Sequence, residues 1–259
     1  MLERRALGRG IAALVSRPLE AAGFLIAFTE RTGGTSQSPF RSLNLGLRTD
    51  DERAAVLQNR RRVCEALGVS SFAVGQQVHG ARCARVGPKR AGAGFTDAAD
   101  AFGATDALIT TSRDVALAAL VADCVPVALV DPAHGALAVV HAGWRGIAAG
   151  ILGATLRRFA EPGEVRAVIG PAIGPDHYSV GKDVALAVSA ASDAGVIAAR
   201  RGGHVFLDLA GTVARILKEL GVRRVDSAGT CTACEPRSFF SYRRDGPTGR
   251  QALIAVRLG

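Results

Sequence analysis

"ADCVPVALVDPAHGALAVVHAGWRG", residues 122–146, is the stretch on which the reading of the fold turns. "VPVALV" and "ALAVVHA" are apolar runs of strand length, and between them "DPAHG" supplies the turn chemistry of Asp131, Pro132 and Gly135. The stretch reads as a buried hairpin. If residues 131–134 form the loop, Val130 faces Gly135 and Cys124 falls directly opposite His141. Opposed residues on one face hold their Cβ atoms about 4.5–5.5 Å apart. Zinc takes sulfur at about 2.3 Å and imidazole nitrogen at about 2.0–2.1 Å, so a facing pair can share an ion with little backbone distortion. A slip of one residue would put the two on opposite faces. Two readings stay open on this ground alone: half of a metal site, or a small hydrophobe beside a satisfied core histidine.

Working outward, "GFLIAFTER" (23–31) is a strand, ended by the turn-rich "TGGTSQSPF". Residues 1–22 read as a loosely ordered lead-in, and 23–259 as a single domain. "DDERAAVLQNRRRVCEALG" (50–68) has helical apolar spacing, Asp50 as N-cap and Gly68 as stop, with Cys64 on its apolar side. "FAVGQQVHGARCARV" (72–86) alternates as a half-buried strand would. "TDALITT" and "VALAALVADC" are short buried strands, and "GWRGIAAGILGATLRRFA" (143–160) is a helix weakened by its glycines. "VRAVIGPAIG" is a strand running into a tight turn; "HVFLDLAGTVARILKELG" passes from strand to amphipathic helix, and the chain ends in a strand. Hairpin-linked strands in this number favour mixed α/β with largely antiparallel sheet and helices outside.

Composition narrows the function classes. The hydrophobic share of 48% is ample for a core, yet no apolar run approaches the roughly 20 residues of a membrane span. Arg17, Pro18 and Glu20 interrupt the N-terminal segment where a signal peptide needs its apolar block, so a cytoplasmic protein is expected. The net charge of +9 is almost all arginine, with lysine only at Lys89, Lys182 and Lys218. No basic run is interleaved with aromatics, which argues against nucleic acid and for a basic site that takes an anionic small molecule. Five cysteines, an odd number, argue against a disulfide framework.

Two ligands do not make a site. Of the remaining histidines, His79 stands out at the end of "GQQVHG"; His134 lies in the turn, His177 in "GPDHYSVG" is a substrate-side candidate, and His204 starts a strand. A set of His79, Cys124 and His141 would leave one position open, the catalytic rather than the structural pattern. Separate structural roles remain the rival reading. Cys231 and Cys234 form a lone CxxC without a second pair, so incidental or structural thiols are the expectation.

"TERTGGTSQSPFRSLNLGLRTDD", "NRRRV", "GQQVHG", "TDALIT", "ADCVPV", "VVHAGWRG", "IGPAIGP…YSVG" and "CT…FFSYRRDGPTGR" follow one another in an order that resembles the laccase-domain (YfiH-like) family, from about residue 23 to the C-terminus. Members have been called polyphenol oxidases and, more recently, purine nucleoside phosphorylases. The resemblance implies a four-layer sandwich, two β-sheets between helices, and one zinc or copper ion on His79, Cys124 and His141. It also implies phosphorolysis of adenosine, inosine, guanosine and methylthioadenosine, with adenosine deamination as a side activity. Cys231 matches the pattern; Cys234 is not recognised in it.

Counting tests the laccase label. Multicopper oxidases need a blue-copper site plus a trinuclear cluster, built from many histidines in His-x-His pairs. This chain has five histidines and no such pair, so that chemistry is excluded. A single open site suits water activation or substrate orientation. Asn44 and Arg48 of "SLNLGLR", Gln77 and Arg145 are the expected substrate or phosphate contacts. Arg243 and Arg244 are further cations, the 170–174 turn is a source of backbone N–H groups, and Asp123 is a candidate acid/base. The rivals are a metal-free hydrolase with Cys124 as nucleophile, acting on peptidoglycan precursors, a single-metal polyphenol oxidoreductase, and a non-catalytic binding protein. Oligomeric state is left open.

Overall fold

A computed structural model describes residues 2–192 and 197–259. In chain order the elements are β1 (Leu2–Gly8), β2 (Ile11–Ser16), α1 (Arg17–Glu20), β3 (Phe24–Thr29), α2 (Arg53–Leu67), β4 (Ala73–Val74), β5 (Cys83–Arg85), β6 (Ala107–Thr110) and β7 (Leu117–Val121). There follow β8 (Val125–Asp131), β9 (Ala136–Ala142), α3 (Trp144–Ala148), α4 (Ile151–Leu156), β10 (Arg166–Ile169), β11 (Ser179–Val180), α5 (Lys182–Ser189) and β12 (Ile197–Arg201). The chain closes with β13 (His204–Leu207), α6 (Leu209–Glu219), β14 (Arg224–Ser227), α7 (Tyr242–Asp245) and β15 (Gln251–Arg257). Among the described residues no helix is long and apolar enough to cross a membrane.

Two six-stranded sheets carry the fold, in the orders β1-β2-β3-β15-β7-β4 and β14-β10-β8-β9-β6-β5. Neighbours are antiparallel except β4–β7, β5–β6 and β10–β14. The sheets face each other across an apolar layer in which Phe24, Ile26, Phe28 and Leu117 of the first meet Val130, Leu137, Val139 and Val168 of the second. Val63 and Cys64 of α2 pack against the outer face of the first sheet. Ile147, Ile151, Val213 and Leu217 from α3, α4 and α6 cover the second. The result is helix, sheet, sheet, helix: the expected four layers. A small antiparallel sheet, β11-β13-β12, is added to this plan.

The burial of β8 and β9 explains their unbroken apolar sequence. Val125, Val127 and Leu129 point to the helical side and Ala128 and Val130 to the other sheet, so neither face meets water. Their register corrects the expected one. Asp131 pairs with Ala136 and Pro126 with His141, so the turn is 132–135. Asp131 stays in the ladder because its carboxylate closes the turn from the strand end, accepting the Ala133 and His134 N–H groups and facing His134 Nδ1 at 2.7 Å. The correction moves the pairing by an even number of residues. Cys124, just before β8, therefore keeps the face of His141 but meets it diagonally rather than head-on.

Other expectations are revised. Residues 2–16 are no loose lead-in: they form the β1–β2 hairpin at the edge of the first sheet. Arginine obscures this in the sequence, yet Arg4 pairs with Glu30 and Arg5 with Glu20, leaving the strand intact. The segment 72–86 is two short strands, one in each sheet, joined by a loop over 75–82. Glu52, not Asp50, occupies the N-cap position of α2, whereas Gly68 ends it as expected, at φ 70°. The helix expected over 143–160 breaks into α3 and α4 at Gly150, whose φ of 80° no helix accepts.

These topological details bring the metal-ligand candidates together. The chain crosses from the first sheet to the second between β4 and β5, carrying His79, and again between β7 and β8, carrying Cys124. His141 lies near the end of β9 on the inter-sheet face. All three sit at one open end of the central layer.

Candidate metal centre and active-site cleft

Asp106 organises the centre. Its carboxylate, 3% exposed, accepts the N–H groups of Val78 (3.2 Å), His79 (2.9 Å) and Gly80 (2.8 Å). The same group takes the Nδ1–H of His141 at 2.8 Å, which leaves His141 Nε2 to face outward. One buried carboxylate thus orients the His141 imidazole and anchors the backbone that carries His79, holding the 78–80 loop against the strain of His79 at φ 61°. Cys124 is placed by a second tight crossing in which Asp123 adopts φ 90°.

The ligand atoms of His79, Cys124 and His141 lie within 4.8 Å of one another, with Cys124 Sγ 3.7 Å from His79 Nε2. Tetrahedral coordination at zinc distances separates sulfur and nitrogen ligands by about 3.5 Å, so the set fits one ion. Gly143 keeps the room for it: a Cβ there would stand 2.6 Å from His79 Cδ2 and 3.1 Å from Cys124 Sγ.

Without an ion the centre holds its charge internally. Burial pushes the Cys124 thiol up, but the His141 cation and hydrogen bonds from His141 and His79 outweigh it and bring the thiol down to about 6. Burial pulls His141 down, but the Cys124 thiolate and Asp106 outweigh it and raise the imidazole to about 9. The thiol's contribution is complete above its ordinary value of 9.0 and is lost as pH falls to about 6; the imidazole's is complete below 6.5 and is lost as pH rises to about 9. The metal-free protein is therefore expected to show a thermal stability nearly flat between about pH 6 and 9, because the two opposing slopes cancel there. Melting temperatures of chelated wild type and Cys124→Ala across this range check it. A variant with the same flat profile would refute the assignment.

The centre opens on a cleft of about 620 Å³. Arg48, Arg145, Arg243 and Arg250 line it, with Trp144 and Tyr178. Arg145 lies over the Trp144 ring at 4.4 Å and Arg243 over Tyr178 at 4.9 Å, so aromatic faces preset two of the guanidinium groups. Burial lowers the pKa of Arg250, a loss partly offset by Cys124 and Asp123. Burial and the charge of Cys124 push Tyr178 up to about 12.

The family description "multi-copper polyphenol oxidoreductase laccase" matches residues 25–257. The chain belongs to that family. A purine nucleoside phosphorylase of Corynebacterium glutamicum is 40% identical over 233 residues, covering 88% of this chain and 92% of the relative. One from Deinococcus radiodurans is 38% identical over 235 residues, 88% and 87% of the two chains. Among solved structures, YlmD from Geobacillus stearothermophilus superposes with a TM-score of 0.93 at 35% identity, covering 100% of this chain and 99% of that one. The YfiH protein of Bacillus licheniformis gives 0.91 at 31% identity, with 99% of each chain covered.

Within this laccase-family chain the expected site residues divide. His79, Cys124, His141, Arg48 and Arg145 all reach the cleft. Asn44 does not: it is fully buried, and its carboxamide holds Thr49, Asp51 and the N–H groups of Gly46 and Arg250. Its work is to shape the loop that presents Arg48. Gln77 lines the cleft, but on a loop rather than a strand, and its amide bridges Leu120 N and O. Asp123 is no free acid/base, because its two oxygens accept from Thr232 Oγ1 at 2.6 Å and Arg243 N at 2.7 Å. Arg244 ties Thr232, Ala233 and Phe239 carbonyls and leaves the cleft to Arg243. The 170–174 turn offers no anion nest: Gly170, Ala172, Ile173 and Gly174 donate to Pro126, Thr230, Asp123 and Cys231, and Pro171 has no N–H.

Asp106 and Arg250 were not anticipated. An acid entering an apolar strand, as in "TDALIT", was the only sequence signal for Asp106. Asp106→Asn is expected to weaken metal affinity by about 10–100-fold, because it removes the charge behind His141. Titration with a competing chelator measures this, and an unchanged affinity would remove Asp106 from the centre.

Proposed function

We propose that this chain is a metal-dependent purine nucleoside phosphorylase. It cleaves adenosine, inosine, guanosine and methylthioadenosine with phosphate to the free base and pentose 1-phosphate, with adenosine deamination as a side activity. The carrying observation is that a Cys/His₂ centre and Arg48, Arg145, Arg243 and Arg250 open on one cleft. In the proposed reaction a phosphate oxygen bonds to C1′ while the bond from C1′ to the purine nitrogen breaks and its electron pair leaves with the base. Arg48, Arg145, Arg243 and Arg250 hold the phosphate and keep its charge beside the oxocarbenium-like carbon. Trp144 and Tyr178 offer flat apolar surface to the base. An ion on His79, Cys124 and His141 supplies Lewis-acid polarisation and orientation. In deamination water takes the place of phosphate, attacks purine C6 and displaces ammonia.

Zinc is the ion proposed, since the donor set suits zinc and copper equally and copper prevails only where the cell makes it available. We read residues 2–259 as a single cytoplasmic domain acting on small molecules, with no nucleic acid and no membrane involved. The test is purified protein with adenosine and phosphate, with and without metal, following adenine release. Failure of metal-replete protein to turn over any nucleoside would overturn the proposal.

One observation favours a second reading. The lowered Cys124 thiol, His141 and Asp106 form a Cys–His–Asp constellation of the kind that activates a nucleophile. A cysteine hydrolase keeps its activity in chelator; the phosphorylase loses it.

A further inference from the structure

His177, Cys231 and Cys234 stand together outside the centre described above, with ligand atoms within 4.8 Å of one another. His177 Nδ1 is 3.7 Å from Cys231 Sγ and 3.6 Å from Cys234 Sγ. Tetrahedral zinc sets sulfur–nitrogen separations of about 3.5 Å and sulfur–sulfur separations of about 3.8 Å. One imidazole nitrogen thus faces both thiols of the CxxC at coordination spacing. We propose that His177, Cys231 and Cys234 bind a second divalent ion of the zinc class, with water completing its coordination.

Three further features suit this role. The Gly174 N–H donates to Cys231 Sγ at 3.1 Å, which fixes the position of that sulfur. Gly174 permits that approach, since a Cβ there would stand 3.0 Å from Cys231 Cβ and 3.1 Å from its Sγ. The Ala172–Cys231 bridge aligns the two segments by backbone pairing, so the ligands do not depend on loop collapse. Two thiolates and a neutral imidazole would balance a divalent charge, which an exposed site tolerates at little desolvation cost.

The position gives the ion a purpose. Tyr178, next to His177, is a wall of the cleft, and Thr232, between the cysteines, donates to Asp123 beside Cys124. An ion joining residues 177, 231 and 234 ties that wall to the segment that positions Cys124. This explains why a CxxC lacking a second pair sits where sequence spacing alone assigns it no site.

The test is metal content of the full chain, purified under reductant, loaded with zinc and desalted. Wild type should retain about two ions per chain. Cys124→Ala and Cys234→Ser should retain about one each, and the double variant none. Cobalt loading of Cys124→Ala should give a thiolate-to-metal charge-transfer band that His177→Ala weakens, and zinc should raise the melting temperature of Cys124→Ala. Two outcomes overturn the proposal: a Cys124→Ala protein that is folded but metal-free, or a Cys231–Cys234 disulfide in the reduced preparation. Neither bears on phosphorolysis at the first centre, which is read separately from adenine release.

Discussion

Cys124→Ala is expected to reduce phosphorolysis by about 10³-fold or more, the scale on which loss of a principal electrostatic group acts. Cys124 is the one anionic ligand of the first centre, and it lies between two imidazoles, one of them carrying a raised pKa. Alanine leaves His79 and His141 as the remaining protein ligands, with no anionic donor to retain a divalent ion. The Asp106 scaffold is untouched, because its bonds run to Val78, His79, Gly80 and His141 rather than to Cys124. The chain should therefore fold, lose the ion at this centre and lose turnover together. Adenine release measured beside metal content checks it. Turnover near the wild-type level would separate the centre from the activity.

The largest effect on stability is expected at Arg60. This side chain is 1% exposed, donating Nε to Leu45 O at 2.8 Å and Nη1 to Gly94 O and Phe95 O at 2.7 Å each. Burial draws its pKa down to about 10, yet three carbonyls and the Phe72 and Phe95 rings compensate the cation. Methionine would fill much of the stem volume and leave three buried carbonyls unpaired. Each unmade bond costs about 1–3 kcal/mol, so Arg60→Met should lose roughly 3–5 kcal/mol after partial relaxation. Urea unfolding at fixed metal loading measures it. A loss under about 1 kcal/mol would mean that water or rearranged backbone satisfies those carbonyls. The effect should also reach the cleft, because Arg60 and Gly94 both line it.

Arg60 also shows where sequence reasoning is weakest. In "NRRRV" three arginines stand in a row, and nothing local distinguishes the buried first from its neighbours. Helical phase places Arg60 on the side of Val56 and Val63, but a charged residue there reads as an interruption of the apolar face. Only the carbonyls of two distant loops turn it into a tie. Asn44 illustrates the converse: a polar residue beside Arg48 reads as a substrate contact until the fold shows its carboxamide fully engaged.

The β8–β9 hairpin, the apolar strands and the Gly68 helix stop were legible because each depends on a few adjacent residues. The edge hairpin of residues 2–16 was hidden because salt bridges to Glu20 and Glu30 offset its arginines, and those partners are remote in sequence. The sequence pointed by itself to mixed α/β with helices outside and to the exclusion of multicopper chemistry, and its resemblance to the family, through motif order, named the trio His79, Cys124 and His141. Tertiary structure alone decided that the trio converges. Two sheet-to-sheet crossings and the Asp106 carboxylate set its geometry, and the register places Cys124 diagonal to His141. Such positions arise from contacts between segments far apart in the chain, which no local spacing encodes.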